Sequence, residues 1–236
     1  MSSTTLKKIG IIGTQCVGKS TLIEDMKEKW PSFVSPTKSY RDLVKKNKLP
    51  LNKEGTKESQ EEILNFLVDE AMANYGKKKM IFDRTPLDNL VYSLWLYDKG
   101  LGGVDEAFID KSVALVRNAI SSYSILFYLP FCKENDVLLT EAPNRDIDPE
   151  YRSEIGHLFE SIYKAWEKGQ GSRFFNHEDT PPIIPLFGSR QERIAMISLY
   201  INNEGNFFGE EDSLVKDFLQ QDFLQKNLID PMKNQK

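Results

Sequence analysis

Residues 13–20 read Gly13-Thr14-Gln15-Cys16-Val17-Gly18-Lys19-Ser20 and fit the pattern G-x-x-x-x-G-K-[ST]. The stretch before them, Lys7-Lys8-Ile9-Gly10-Ile11-Ile12, is short, apolar and β-branched, as a buried strand must be. After them, Leu22, Ile23, Met26 and Trp30 recur at helical spacing along residues 21–30. Strand, glycine loop and helix in that order commit residues 7–30 to one supersecondary unit. Glycines let the backbone turn tightly and aim its N–H groups inward, and the helix that starts there adds partial positive charge. Such a loop is built for phosphate. Gly13, Thr14, Gln15, Cys16, Val17, Gly18, Lys19, Ser20 and Thr21 are therefore the candidate nucleotide-binding residues. Lys19 is placed to reach the β- and γ-phosphates of ATP, and Ser20 to ligate Mg²⁺.

The rest of the chain alternates in kind. Residues 32–35, between Pro31 and Pro36, form a candidate second strand. A basic helix follows over 37–46, with Tyr40 and Arg41 near its start; these two either bind an anionic or aromatic ligand or belong to a solvated helix face. Ile63, Leu64, Leu67, Val68, Ala71, Met72 and Tyr75 predict a helix over 56–75, with Gly76 as its C-cap. Lys79-Met80-Ile81-Phe82 reads as a buried strand ending in Asp83-Arg84. Thr85-Pro86-Leu87-Asp88 then fits a capping box with proline at the first helical position. Asp83 and Arg84 thus fall at the C-terminal edge of a strand, where open α/β sheets bind ligands. There a carboxylate orients Mg²⁺ or takes an acceptor's proton, and an arginine clamps an anion.

Further on, residues 106–120 are amphipathic, residues 123–129 form a strong strand closed by Pro130, and residues 132–144 are polar and irregular. Asp148 and Pro149 open a helix that buries Tyr151, Ile155, Leu158, Phe159, Ile162 and Trp166. Arg145 and Arg152 flank its start, and an arginine on a flap can neutralise a transferring phosphoryl group. Residues 182–187 read as a final strand, and Ser189-Arg190-Gln191-Glu192 as a capping box opening a helix through Ile201. The alternation predicts an α/β fold with five parallel strands covered by helices on both faces.

Composition excludes several classes. Of 236 residues 40% are hydrophobic and 28% charged, which is the balance of a globular chain. A net charge of −4 argues against indiscriminate nucleic-acid binding. No apolar run is long enough to cross a bilayer, no membrane partner is expected, and the N-terminus lacks an apolar signal region. The two cysteines imply no disulfide framework. A cytoplasmic location is the expectation. His157 and His177 have no ligand-like neighbours in sequence, so Mg²⁺ is the one metal expected.

With these residues in view, the chain resembles P-loop kinases of the nucleoside and nucleotide type. Asp83-Arg84 is similar to the Asp-Arg pair of thymidylate kinases. The order of features over about residues 6–203 resembles the small AAA-domain kinases that include nicotinamide-riboside kinases: Tyr40-Arg41 lies near that group's Tyr-x-Arg, Asp83 at its strand-end acid, Arg145 in its lid, and residues 188–194 at its last strand-helix junction. The Asp-Arg-Thr run here replaces that group's Asp-Thr-Asp, and Tyr40-Arg41 is offset by one residue; both leave the acceptor open. The resemblance implies a three-layer α/β/α fold, a sheet of order 2-3-1-4-5 and a lid over about residues 132–152 within a core of residues 1–204; the stretch after Asn202 has no counterpart in it, and the helical extension expected over 205–236, packed on the core, rests on apolar spacing alone. It also implies a kinase that uses ATP and Mg²⁺. Lys19, Asp83, Arg84 and Arg145 would be its catalytic residues; Tyr40, Arg41, Asp83, Arg84 and Arg152 would bind the acceptor; Ser20 and Asp83 would hold the metal.

Three functions compete. The leading one moves the γ-phosphoryl group of ATP to a small nucleoside- or nucleotide-like acceptor. A second acts on a hydroxyl of DNA, guided by the basic cluster Lys38, Arg41, Lys45, Lys46 and Lys48. A third is a regulatory ATPase read by a partner. In that case the acidic tail, with Leu214, Val215, Phe218, Leu219 and Phe223 at helical spacing, either docks on the core or offers a partner surface. A homodimer is compatible with any of the three.

Overall fold

The computed structural model describes residues 8–76, 78–132, 135, 148–168 and 180–208. Five parallel strands, β1 (Lys8–Ile12), β2 (Phe33–Val34), β3 (Lys79–Asp83), β4 (Ile125–Tyr128) and β5 (Ile183–Pro185), form one sheet in the order β2-β3-β1-β4-β5. The helices are α1 (Lys19–Lys29), α2 (Tyr40–Asn47), α3 (Lys57–Met72), α4 (Pro86–Asp98), α5 (Glu106–Ile120), α6 (Pro149–Glu167) and α7 (Arg190–Ile197). Fold class and strand order are those expected.

The period-2 geometry of strands divides the core in two. Ile9, Ile11, Ile81, Ile125 and Phe127 face one layer with Leu22, Met26 and Trp30 of the α1 segment and Ile197 of α7. Ile12, Met80, Phe82, Leu126 and Tyr128 face the other, packed on α3, α4, α5 and α6. Gly10 belongs to the second face but has no side chain to give it. A Cβ there would come within 2.6 Å of both Leu126 Cδ2 and Thr85 Cγ2. The missing methyl lets Thr85, the N-cap of α4, sit directly against β1.

Capping fixes where helices begin. Thr85 and Asp88 form the expected capping box, as do Ser189 and Glu192, while Asp148 accepts from the Tyr151 N–H. Helix ends were less legible. α3 stops at Met72, with Ala73 extended, so Gly76 serves a following turn and not the cap. β4 is shorter than the apolar run 123–129, although Ser124 N and Leu129 N still donate to Lys8 O and Ile12 O of β1 at its two ends. α7 ends at Ile197, not Ile201, which instead forms an antiparallel bridge with Phe207. There Asn202 Oδ1 accepts from the N–H groups of Glu204 and Asn206, and a side chain that offers the backbone such a local alternative ends a helix. Trp30 Nε1 donates to Asn202 O, and Lys79 Nζ to Glu204 O, fastening this turn to the sheet edge. Residues 209–236, with the expected terminal helix, lie outside the described residues. Among the described residues no helix is long and apolar enough to cross a membrane.

Candidate active site

β1 delivers the chain into residues 13–20 at the C-terminal edge of the sheet. Gly13 has φ 139°, and a Cβ on it would lie 2.6 Å from Leu129 O, so both conformation and space demand glycine. Gly18, with φ 89°, is the N-cap of α1, and Cys16 takes φ 58° although it carries a side chain. Alternating left-handed residues set successive N–H groups on one concave side, the geometry of an anion nest. Lys19 is almost fully buried, and its Nζ donates to Gly13 O at 2.6 Å and Thr14 O at 2.5 Å. Burial pulls its pKa down to about 8; Arg84 pulls the same way, and Asp88 and Asp83 oppose them.

β3 ends beside this loop because Ile11 pairs with Asp83 in the parallel register. Ser20 Oγ donates to Asp83 Oδ2 at 3.1 Å, and Arg41 Nη1 donates to the same oxygen at 2.8 Å. Asp83 Oδ1 is buried without a hydrogen-bond partner. Burial alone would raise the Asp83 carboxyl, but Arg41, Lys19 and Arg84 together hold it below its usual range. A hydroxyl and an unsatisfied carboxylate oxygen side by side suit Mg²⁺, which takes few protein oxygens and completes its shell with water and phosphate. Among the described residues no cluster of three or more His, Cys, Asp or Glu side chains could hold a metal, so phosphate oxygens would have to share the ion.

Arg84 turns the chain from β3 into α4 with φ 80°, a strained conformation for a residue with a Cβ. Its guanidinium carbon lies 4.8 Å from the Tyr40 ring centroid and 4.8 Å from that of Tyr92, and Nη2 donates to Tyr92 Oη at 3.3 Å. Arg41 covers the other approach to Tyr40 at 5.1 Å. Tyr40 and Arg41 are there because Ser39 and Asp42 cap α2 reciprocally. Sequence expectation and structure agree in bringing Lys19, Ser20, Tyr40, Arg41, Asp83 and Arg84 to one place.

Three features escaped the sequence reading. Asp88 looked like a capping residue and is one, accepting from Thr85 N at 2.8 Å. Yet it is fully buried, its Oδ1 has no hydrogen-bond partner, and burial raises its pKa against the pull of Lys19 and Arg84. Tyr92, one helical turn further along α4, reads in sequence as core. Asn89 and Gln60 bond to each other at 2.9 Å between α4 and α3; the one hint was a polar Asn89 amid the largely apolar α4, since Gln60 sits among other polar residues at the start of α3.

The structure puts Arg152 somewhere other than the acceptor side. It is buried, with 4% exposure, behind the phosphate loop; Nε donates to Gln15 O at 3.1 Å and Nη2 to Cys16 O at 2.8 Å. The expectation that it binds the acceptor gives way to a contact with the nucleotide loop itself. Arg145, like most of the expected lid, lies outside the described residues. Arg190, at the last strand-helix junction, pairs with Asp25 on α1, Nε to Oδ2 at 3.0 Å.

The AAA domain family model matches residues 8–169. No curated protein matches the chain in sequence. Among solved structures, deoxyadenosine kinase from M. mycoides with the products dCMP and dCDP bound superposes with a TM-score of 0.57 at 21% identity, covering 80% of this chain and 95% of that one. The same enzyme with dATP bound gives 0.56 at 18% identity, covering 81% and 97%. The NadR protein in complex with NR gives 0.58 at 10% identity, covering 88% of this chain and 54% of that one, so this chain spans about half of NadR. At such identities the likeness is one of fold.

Proposed function

Because the chain belongs to the AAA domain family, whose model matches residues 8–169, we propose that its cradle is a phosphotransferase site that moves the γ-phosphoryl group of ATP, with Mg²⁺, to a nucleoside- or nucleotide-like acceptor. One observation carries this reading: the Ser20–Asp83 hydrogen bond of 3.1 Å joins the phosphate loop to the end of β3, where Arg84 follows and Arg41 of α2 donates to the same carboxylate. The carboxylate by itself would serve Mg²⁺ beside any bound nucleotide; the two arginines gathered at it are what favour a second, anionic substrate. Solved kinases of deoxyadenosine with the same fold, and a NadR bound to NR, lend the acceptor class its support.

In this reading the loop amides and Lys19 bind the phosphates, and Ser20 and Asp83 would hold Mg²⁺, which when bound would neutralise phosphate charge. A carboxylate held below its usual range is a weak base, so Asp83 orients more than it abstracts. Arg41 and the tyrosine-clamped Arg84 fix the acceptor and face the charge that develops in transfer. Arg145 is proposed to add charge from the lid. With Asp83 Oδ1 assigned to the metal, the remaining unpartnered buried oxygens Asp88 Oδ1 and Asn89 Oδ1 favour an acceptor that donates hydrogen bonds through hydroxyl or amino groups, as a nucleoside does. Purified protein with Mg-ATP and a panel of nucleosides and monophosphates should release ADP only when the right acceptor is present; absence of any acceptor-dependent ADP defeats the proposal.

A second reading has its own observation. α2 buries none of its residues and presents Arg41, Lys45 and Lys46 to solvent, with Lys48 just beyond, in line with Tyr40. Such a ridge suits an acceptor hydroxyl carried on a DNA strand. Binding of single-stranded or duplex DNA that weakens steeply with salt supports it, and no binding at low salt removes it.

A further inference from the structure

The carbonyl groups of the phosphate loop are all engaged, and by an unusual set of donors. Lys19 holds those of Gly13 and Thr14. Arg152, in the first turn of α6, holds those of Gln15 and Cys16 with the two nitrogens of its fork. Arg193, on α7, holds that of Val17 through Nη1 at 3.1 Å. The Gly18 carbonyl accepts from Leu22 N inside α1. Five successive carbonyls are thus tied down by three cations drawn from three helices.

We infer that Arg152 and Arg193 are positioning residues for the nucleotide: they hold the loop's carbonyls outward so that its N–H groups face the phosphates. The inference rests on the phosphate-binding reading proposed above. Lys19 cannot be relied on for this task, because in that reading it turns to the phosphates. The carbonyls of residues 15–17 then depend on the two arginines. A peptide plane that flips exchanges an inward N–H for an inward carbonyl, which repels phosphate. A planar fork that donates to two adjacent carbonyls blocks that flip at both, and its fixed geometry sets their directions more tightly than the freely turning donors of an ammonium do. Charge-assisted donors also polarise the peptide groups they touch and strengthen the N–H on the far side.

Both arginines are themselves held. Thr14 Oγ1 donates back to Arg152 O at 3.3 Å. The Arg152 guanidinium carbon lies 4.6 Å from the Phe131 ring centroid, just past the end of β4. Arg193 Nη2 donates to Asn135 Oδ1 at 3.1 Å, which also accepts from Gly188 N at 3.0 Å. Asn135 Nδ2 in turn donates to Pro130 O and Leu186 O. The loop is fastened from behind to the chain ends that leave β4 and β5. Both side chains are more than nine-tenths buried. Burying two guanidiniums merely to join helices to a core would be a costly device, since apolar packing does that as well.

The test measures Mg-ADP affinity by calorimetry, beside the melting temperature, for Arg152→Lys, Arg152→Gln, Arg193→Lys and Arg193→Gln. The glutamine variants should lose about tenfold or more in ADP affinity, the worth of one or two charged hydrogen bonds, and lysine should recover part of it at Arg193 and less at Arg152. The melting temperature of the lysine variants should stay near that of wild type. The inference is overturned if folded variants bind ADP as wild type does, or if both substitutions at a site lower the melting temperature while sparing ADP affinity below it. It is equally overturned, for that arginine, if neither variant folds, because the side chain is then structural. A wild-type protein that binds no ADP removes the phosphate-binding reading itself, a result separate from any of these.

Discussion

The two halves of the cradle are made of different materials. The nucleotide half is backbone: an alternating turn whose donors are peptide N–H groups, whatever the side chains at Gln15 and Cys16. The half proposed to meet an acceptor is side chain: Asp83, Arg84, Tyr40, Arg41 and Tyr92, brought from β3, α2, α4 and the turn between β3 and α4, and held by ring contacts near 5 Å and hydrogen bonds. A backbone site is rigid and generic. A side-chain site is specific, and one substitution can retune it. The first half therefore speaks of chemistry and the second of substrate.

The comparison breaks most sharply at Lys19, the side chain that in the proposed reading reaches the phosphates from the backbone half. Lys19→Ala should cut transfer by about a hundredfold or more, as loss of a preorganised donor does. Its melting temperature should remain close to wild type, because a buried cation whose pKa is depressed contributes little to folding. Rates near wild type would show that the loop's backbone suffices. Asp83→Asn joins the two halves and comes next. Turnover should fall about tenfold to a hundredfold, and the Mg²⁺ concentration for half-maximal rate should rise, as when an electrostatic partner of the transferring group is removed. An unchanged Mg²⁺ dependence would exclude Asp83 from the metal.

On the acceptor side alone, Tyr92→Leu should raise the KM for the acceptor by about fivefold and leave the KM for ATP unchanged, since it strips one cation–π face from Arg84 worth roughly 1–2 kcal/mol when desolvated. A matching rise for ATP would mean that the halves are not separable. A subtler expectation concerns protons. The Lys19 pKa near 8 lies below that of a solvated lysine, so between about pH 8 and 10 the unfolded chain binds the extra proton and this group's contribution to stability rises with pH. Phosphate favours the charged amine, so nucleotide binding at pH 8–9 should take up a proton, up to about one per site. Calorimetry in two buffers of different ionisation enthalpy reads it, and no uptake would place Lys19 away from the phosphates. Smallest is Gly10→Ala. The new methyl would press on Thr85 Cγ2 and Leu126 Cδ2, costing about 1–2 kcal/mol of stability by overpacking and disturbing the acceptor half through the α4 cap.

Legibility followed the same division. The loop, the strand ends and the capping boxes at Thr85 and Ser189 could be read because each is a local pattern within a few residues. Asp83-Arg84 could be placed because a strand-to-helix junction fixes which edge of the sheet it occupies. Asp88 and Tyr92 were hidden by their second identities, as cap and as core residue. Arg152 was misplaced because an arginine at the start of a helix after a polar stretch looks exposed; no sequence pattern says that Phe131 and two loop carbonyls will cover it. The end of α7 was missed because the apolar spacing runs on to Ile201 while Asn202 and the Trp30 indole pull the chain out of the helix.

In the end the linear chain was sufficient for what backbone conformation controls. Glycine at 13 and 18, between an apolar strand and an amphipathic helix, makes a phosphate cradle through forces that act over a handful of residues. Folding alone brought together what lies far apart in the chain. Arg41 meets Asp83 across 42 positions, Arg152 meets Gln15 across 137, and Arg193 meets Val17 across 176. Such contacts depend on which strands become neighbours and on which side chains burial then forces to find a partner. A buried guanidinium seeks partners, and the donor-hungry carbonyls of a turned-out loop supply them to Arg152 Nε and Nη2 and to Arg193 Nη1, while Arg193 Nε is left without one.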